Sequence, residues 1–134
     1  MQENTTFNHQ ADIVNSAIRF INSWFKQSKS ITEELNDFFI LPGNKVLGKQ
    51  IIIGRLKGIF GKSDEYVGGR YDIIDVNFEL LNDEKGMGFV EGVVGYRDVI
   101  QKQSKIVSGP FKLYFALHNN TWKIVNIEFP GFTY

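Results

Sequence analysis

The stretch that decides the fold is Pro110-Phe-Lys-Leu-Tyr-Phe-Ala-Leu-His118, then Asn119-Asn120, then Thr121-Trp-Lys-Ile-Val-Asn-Ile-Glu-Phe129. Two runs of alternating apolar and polar residues flank a two-residue link. Asparagine tolerates the positive φ of a tight hairpin turn, so the sequence predicts two antiparallel strands turning at 119 and 120. Pairing outward from that turn sets Leu117 opposite Trp122, Phe115 opposite Ile124, Leu113 opposite Asn126 and Phe111 opposite Glu128. This face is apolar until it meets Asn126 and Glu128. The other face carries Ala116 with Lys123, Tyr114 with Val125 and Lys112 with Ile127.

The period of two continues upstream. Residues 71–81 and 87–100 read as strands joined by the polar loop 82–86, and 101–105 as a second polar turn. Before them the spacing is helical. Between 10 and 29, Val14, Ala17, Ile18, Ile21, Trp24 and Phe25 form one apolar stripe. Ser30-Ile-Thr-Glu33 has capping-box spacing and predicts a short helix over 31–38, with Leu35, Phe38 and Phe39 packing inward. Leu41-Pro-Gly-Asn44 marks a turn, and 45–47 a short strand. Residues 50–61 are ambiguous. Three consecutive Ile suit a strand, but Ile52, Leu56, Ile59 and Phe60 form a helical stripe, and helix is preferred although Gly54 and Gly58 each cost about 1 kcal/mol there. Helices followed by a four-stranded meander imply an α+β domain with helices on one face of a curved sheet. Residues 1–8 are polar and expected to be disordered.

At 134 residues the chain is expected to form one domain with a real core. Fifteen basic and fifteen acidic residues cancel, so composition gives no electrostatic case for nucleic acid or an anionic membrane. Twelve Phe suit a packed core and also an apolar cavity. The absence of cysteine excludes disulfides and thiol chemistry. The first ten residues are too polar for a signal peptide, and no apolar run approaches the roughly 18 residues of a membrane span, so a cytoplasmic location is the default expectation. His9 and His118 have no ligand-spaced partner, and neither a metal nor a cofactor is expected. Gly43-Asn-Lys-Val-Leu-Gly48-Lys49 has phosphate-loop spacing, but Gln50 stands where Ser or Thr would hold magnesium, and the loop lacks a parallel βαβ setting.

Several segments, in order, resemble the NTF2-like superfamily (SnoaL and ketosteroid-isomerase relatives), a cystatin-like α+β cone. They are the long first helix, Glu34-Leu-Asn-Asp-Phe-Phe39, Gly48-Lys-Gln-Ile51, the glycine-rich Gly88-Phe-Val-Glu-Gly-Val-Val-Gly-Tyr96 and the closing Asn120-Thr-Trp-Lys-Ile-Val125. The resemblance spans nearly the whole chain. It implies a sheet wrapped around helix one with a pocket at the cone's open end. That pocket serves isomerases, dehydratases, cyclases and hydrolases, while other members are non-catalytic binding or assembly domains, so the resemblance leaves function open. The acidic base common among ketosteroid-isomerase relatives, often Asp-Pro, maps onto Leu41-Pro42, and leucine cannot abstract a proton. Relatives with polar residues after Trp-x-Ile-Val would place them at Asn126 and Glu128.

Two lines thus meet on Glu128 and Asn126 as candidate catalytic residues. A carboxylate in an apolar cavity would be a tuned acid or base, with Asn126 orienting a substrate oxygen; the competing expectation is that Glu128 points into water. Phe20, Trp24 and Phe38 with Phe111, Leu113, Phe115, Trp122 and Ile124 are the candidate ligand-binding lining, although core packing is the commoner fate of such residues. Asp75, Asn77 and Glu79, beside Glu91, are expected on the solvated convex face. Tyr114, Val125 and Ile127 are apolar for a solvent face, and relatives pair through their sheets, so a homodimer is expected there. The expected function is binding of a small hydrophobic molecule in the cone, with cofactor-independent isomerase, dehydratase or cyclase-type proton transfer. The alternative is a non-catalytic dimerisation or protein-interaction domain.

Overall fold

The computed structural model describes residues 8–134, and the disorder expected for 1–7 lies outside them. At Asn8 that expectation fails. Its side chain accepts a hydrogen bond from Ala11 N at 3.1 Å and caps helix α1, His9–Phe25. One face of α1 buries Ile13, Ala17, Phe20, Ile21 and Trp24 completely. Burial of this kind contributes about 1.5–3 kcal/mol for each large side chain.

The predicted second helix is not an α-helix. Ser28, not Ser30, caps a 3₁₀ helix over Lys29–Glu34, its hydroxyl accepting from Ser30 N at 3.2 Å. Tertiary bonds then take over the chain: Asn36 N donates to Ile124 O at 2.8 Å, and Leu35 forms a parallel bridge with Ile124. Strand β1, Phe38–Leu41, follows and pairs with β2, Lys45–Gly48, across a turn in which Gly43 and Asn44 take positive φ. Adjacent residues of a strand face opposite ways. Phe39 is therefore buried while Phe38 is 60% exposed, which overturns the inward packing expected of Phe38. Residues Lys49–Gly61 form helix α2, which buries Ile52 and Leu56.

The main sheet is an antiparallel meander of β3 (Glu65–Leu80), β4 (Lys85–Ile100), β5 (Gln103–His118) and β6 (Thr121–Glu128), in that spatial order. Asn119 and Asn120 both take positive φ, as the hairpin turn requires. Gln101 and Lys102 do the same at the preceding turn, shortening it to two residues. Strand β3 begins six residues before the expected start at 71, because bulges near Gly68 and Ile74 let it continue through an irregular stretch. Those bulges and the close approach at Gly92, where a Cβ would collide with Asp72 O, bend the sheet around α1. Asp75, Asn77 and Glu79 lie exposed on the outer face. No helix among the described residues is long and apolar enough to cross a membrane.

Candidate functional site

The hairpin that opened the sequence reading pairs as expected from its turn as far as Phe115 with Ile124, and there the register slips. Val125 is a β-bulge. Beyond it Tyr114 faces Asn126, Leu113 faces Ile127 and Lys112 faces Glu128. One extra residue reverses the face of everything after it. Ile127 enters the core at 2% exposure, whereas Glu128 lies exposed on the outer face. Tyr114 OH donates to Glu128 Oε2 at 3.2 Å. Asn126 is a structural clasp: its Nδ2 donates to Ile40 O at 3.1 Å, and its Oδ1 accepts from Tyr134 OH at 2.8 Å. The placement of Glu128 and Asn126 inside the cone is thus corrected. The outer surface drawn from Tyr114, Val125 and Ile127 is corrected with it, since Val125 and Ile127 are both buried.

The expected cavity lining forms a continuous core. Phe20, Trp24, Leu113, Phe115 and Ile124 have no exposed surface, with Phe111 at 2% and Trp122 at 5%. A void admitting water would leave such side chains accessible. At the far end, Trp122 Nε1 donates to His9 Nδ1 at 3.1 Å, and His9 packs against Phe78 with ring centres 5.6 Å apart. His9 therefore belongs to the first turn of α1.

The concave face stays open at the other end, where α1 and α2 both finish. Ser63, Tyr66 of β3, Tyr96 and Asp98 of β4, and Lys105 of β5 line a groove of about 340 Å³, with Gly131 from the tail on one side. Tyr66, Asp98 and Lys105 form a row across the three strands, since Asp98 pairs with Tyr66 on one side and Lys105 on the other. Tyr66 and Tyr96 touch at 4.7 Å between ring centres, and Trp24 stacks on Tyr66 at 5.8 Å and 11°.

Among the described residues, three buried side-chain polar atoms have no hydrogen bond of full geometry: Trp24 Nε1 and Gln27 Nε2, which lean on the Tyr96 and Tyr66 phenols, and Asp98 Oδ1, which has no donor. All three neighbour this tyrosine pair. Native proteins rarely leave a buried acceptor such as Asp98 Oδ1 unpaired, because it costs about 1–3 kcal/mol. Burial is the main reason that both phenols are pushed above the usual tyrosine range, with Asp98 adding to the shift. Gln27 and Ser63 near Tyr66, and Trp24 near Tyr96, temper it. At neutral pH the phenols are protonated donors, and Asp98 supplies an acceptor. Among the described residues, no three His, Cys, Asp or Glu side chains are grouped to hold a metal ion.

The signal for this site was present in β4. Val90, Val94 and Tyr96 share the inner face, and Asp98 is the polar residue that interrupts it. The same kind of interruption drew attention to β6, where the bulge removes it. Tyr66 went unseen because the strand was expected to start at 71.

No family model and no curated protein sequence matches this chain. Solved structures do. A scytalone-dehydratase-like protein from Novosphingobium aromaticivorans is 13% identical, with a TM-score of 0.61 over 88% of this chain and 80% of that one. An NTF2-like protein from Cytophaga hutchinsonii is 15% identical, with a TM-score of 0.57 over 89% and 94%. A dehydratase-like member of the NTF2-like family from Streptomyces avermitilis is 10% identical, with a TM-score of 0.56 over 91% and 96%. The order of elements, the curved open sheet around α1 and these likenesses agree: the chain has the NTF2-like α+β cone fold.

Proposed function

We propose that this protein binds a small, flat, hydroxylated cyclic molecule at the mouth of its cone, between Tyr66, Tyr96 and Asp98. The observation that carries the reading is Asp98 Oδ1, a buried acceptor without a partner, paired across the sheet with Tyr66 in the lining of an open groove. Its volume of about 340 Å³ falls at the lower end of the usual range for ligand sites, about 300–1,000 Å³. The chemistry available is proton transfer without a cofactor. The protonated Tyr66 phenol donates to a substrate oxygen, Tyr96 stays bonded to Pro130 O beneath it, and Asp98 accepts a proton, the set that isomerase or dehydratase-type reactions use. Glu128 takes no part. The test is a titration of phenol, 2-naphthol and 7-hydroxycoumarin followed by calorimetry. At least one should bind with one molecule per chain, and Tyr66→Ala should weaken it tenfold or more. No binding by any of the three, or binding unchanged in Tyr66→Ala, overturns the reading.

A second reading, a homodimer through the outer sheet face, keeps Tyr114 from the expected set and replaces Val125 and Ile127, which are buried, with other residues. Phe89 and Tyr114 are cross-strand partners on that face, Met87 and Val93 beside them are 48% and 43% exposed, and Lys112 Nζ lies 4.2 Å from the Phe89 ring centre. Sedimentation of Met87→Lys/Val93→Lys should give a monomer where the parent chain gives a dimer. A monomeric parent chain removes this reading.

A further inference from the structure

A second groove, separate from the mouth, lies between the 3₁₀ helix and α2. Its floor is apolar: Ile31 and Leu56 are buried, and Ile53 and Phe60 are half-buried beside them. Lys29 stands on one wall and Lys57 on the other, with about 210 Å³ between the two helices. No lining residue is acidic. Glu34, on the same 3₁₀ helix, turns away to Ser16 Oγ at 2.7 Å and to the Arg19 guanidinium at 3.0 and 3.1 Å. The whole of α2 adds to this bias, with Lys49, Arg55 and Lys57 and no Asp or Glu. Gln27, whose side chain leans toward Tyr66 on its other side, belongs to the same lining. Balanced overall charge hides this local excess.

We infer that this groove binds an anionic amphiphile of the straight-chain carboxylate class. The chain would lie on Ile31, Ile53, Leu56 and Phe60, and the carboxylate would sit between Lys29 and Lys57. Apolar floor and cationic rim each select one half of such a molecule. A neutral alcohol of the same length keeps the tail and loses the head. A cationic amphiphile meets repulsion.

The probe is decanoate, held below its micelle concentration and titrated into the whole chain. Calorimetry should give one site per chain, tightening about fourfold per methylene from hexanoate to octanoate. Decanol should bind at least tenfold more weakly than decanoate. Lys29→Glu/Lys57→Glu, with both side chains on the groove's rim, should weaken decanoate tenfold or more. Backbone amide shifts should move at residues 27–32 and 53–60 and stay still at Tyr96 and Asp98. The inference is overturned if decanol binds as tightly as decanoate, if the double variant binds unchanged, or if the moving amides are those of the mouth. Attachment to phosphatidylglycerol vesicles without binding of monomeric decanoate also overturns it, because that marks a basic surface and no groove ligand.

Discussion

Tyr96 ties the floor of the mouth to the tail of the chain. Its hydroxyl donates to Pro130 O at 2.8 Å, and Gly131 follows with φ +98°, where a Cβ would collide with that hydroxyl. Gly131→Ala should therefore cost about 2 kcal/mol in denaturant unfolding. In a Tyr96→Phe background the same change should cost less, because the clashing oxygen is gone, and an equal cost in both backgrounds would deny the contact. The tyrosines also set an alkaline limit. Burial pushes Tyr66, Tyr96 and Tyr134 upward, Tyr134 to about 12. Unfolded phenols titrate near about 10, so above that pH the unfolded chain releases protons that the folded chain keeps. Stability from these groups is fully present below about pH 10 and is lost as pH rises through about 12. Ultraviolet titration of native and denatured protein should show the native phenols lagging, and coincident curves would contradict their burial.

At the scale of elements, the strands and the Asn-Asn turn were legible because their signals are local: alternation over eight or more residues and a turn chemistry with few alternatives. The bulge was not. Nothing in Ile-Val-Asn-Ile distinguishes a regular strand from one that slips at Val125, after which Leu113 pairs with Ile127 across the sheet. A paired substitution tests the assigned faces. Ile127→Ala should destabilise by about 3 kcal/mol as a core truncation, while Glu128→Ala leaves the melting temperature unmoved. The reverse ranking would restore the unbulged register. The 3₁₀ helix was misread for a related reason. Ser30 and Glu33 satisfy a local rule, but bonds from Asn36 to Ile124 and from Glu34 to Arg19 pull the segment elsewhere. The alternation that marks a strand starts at 71, whereas a bulge near Gly68 lets the ladder begin at Glu65 and brings Tyr66 into the sheet.

For the whole molecule, the fold class was readable from the order of helical and strand periods, and the position of the site was not. A site between layers depends on where α1 and α2 stop against the sheet, which no single segment encodes. Twelve Phe suit both a core and a cavity, core packing being the commoner fate. Phe20, Phe39, Phe111 and Phe115 fill the interior, leaving polar chemistry to the mouth, where strand alternation places Asp98 in the groove lining. Trp24 and Trp122 report on opposite ends of α1, the first stacked on Tyr66 and the second bonded to His9. The most direct measurement of the central claim is the pair of indole N–H resonances during titration with the tightest of the three hydroxylated ring compounds. The Trp24 resonance should shift in step with binding while Trp122 stays fixed; a shift at Trp122 alone, or saturation with neither resonance moving, would contradict a site at the mouth.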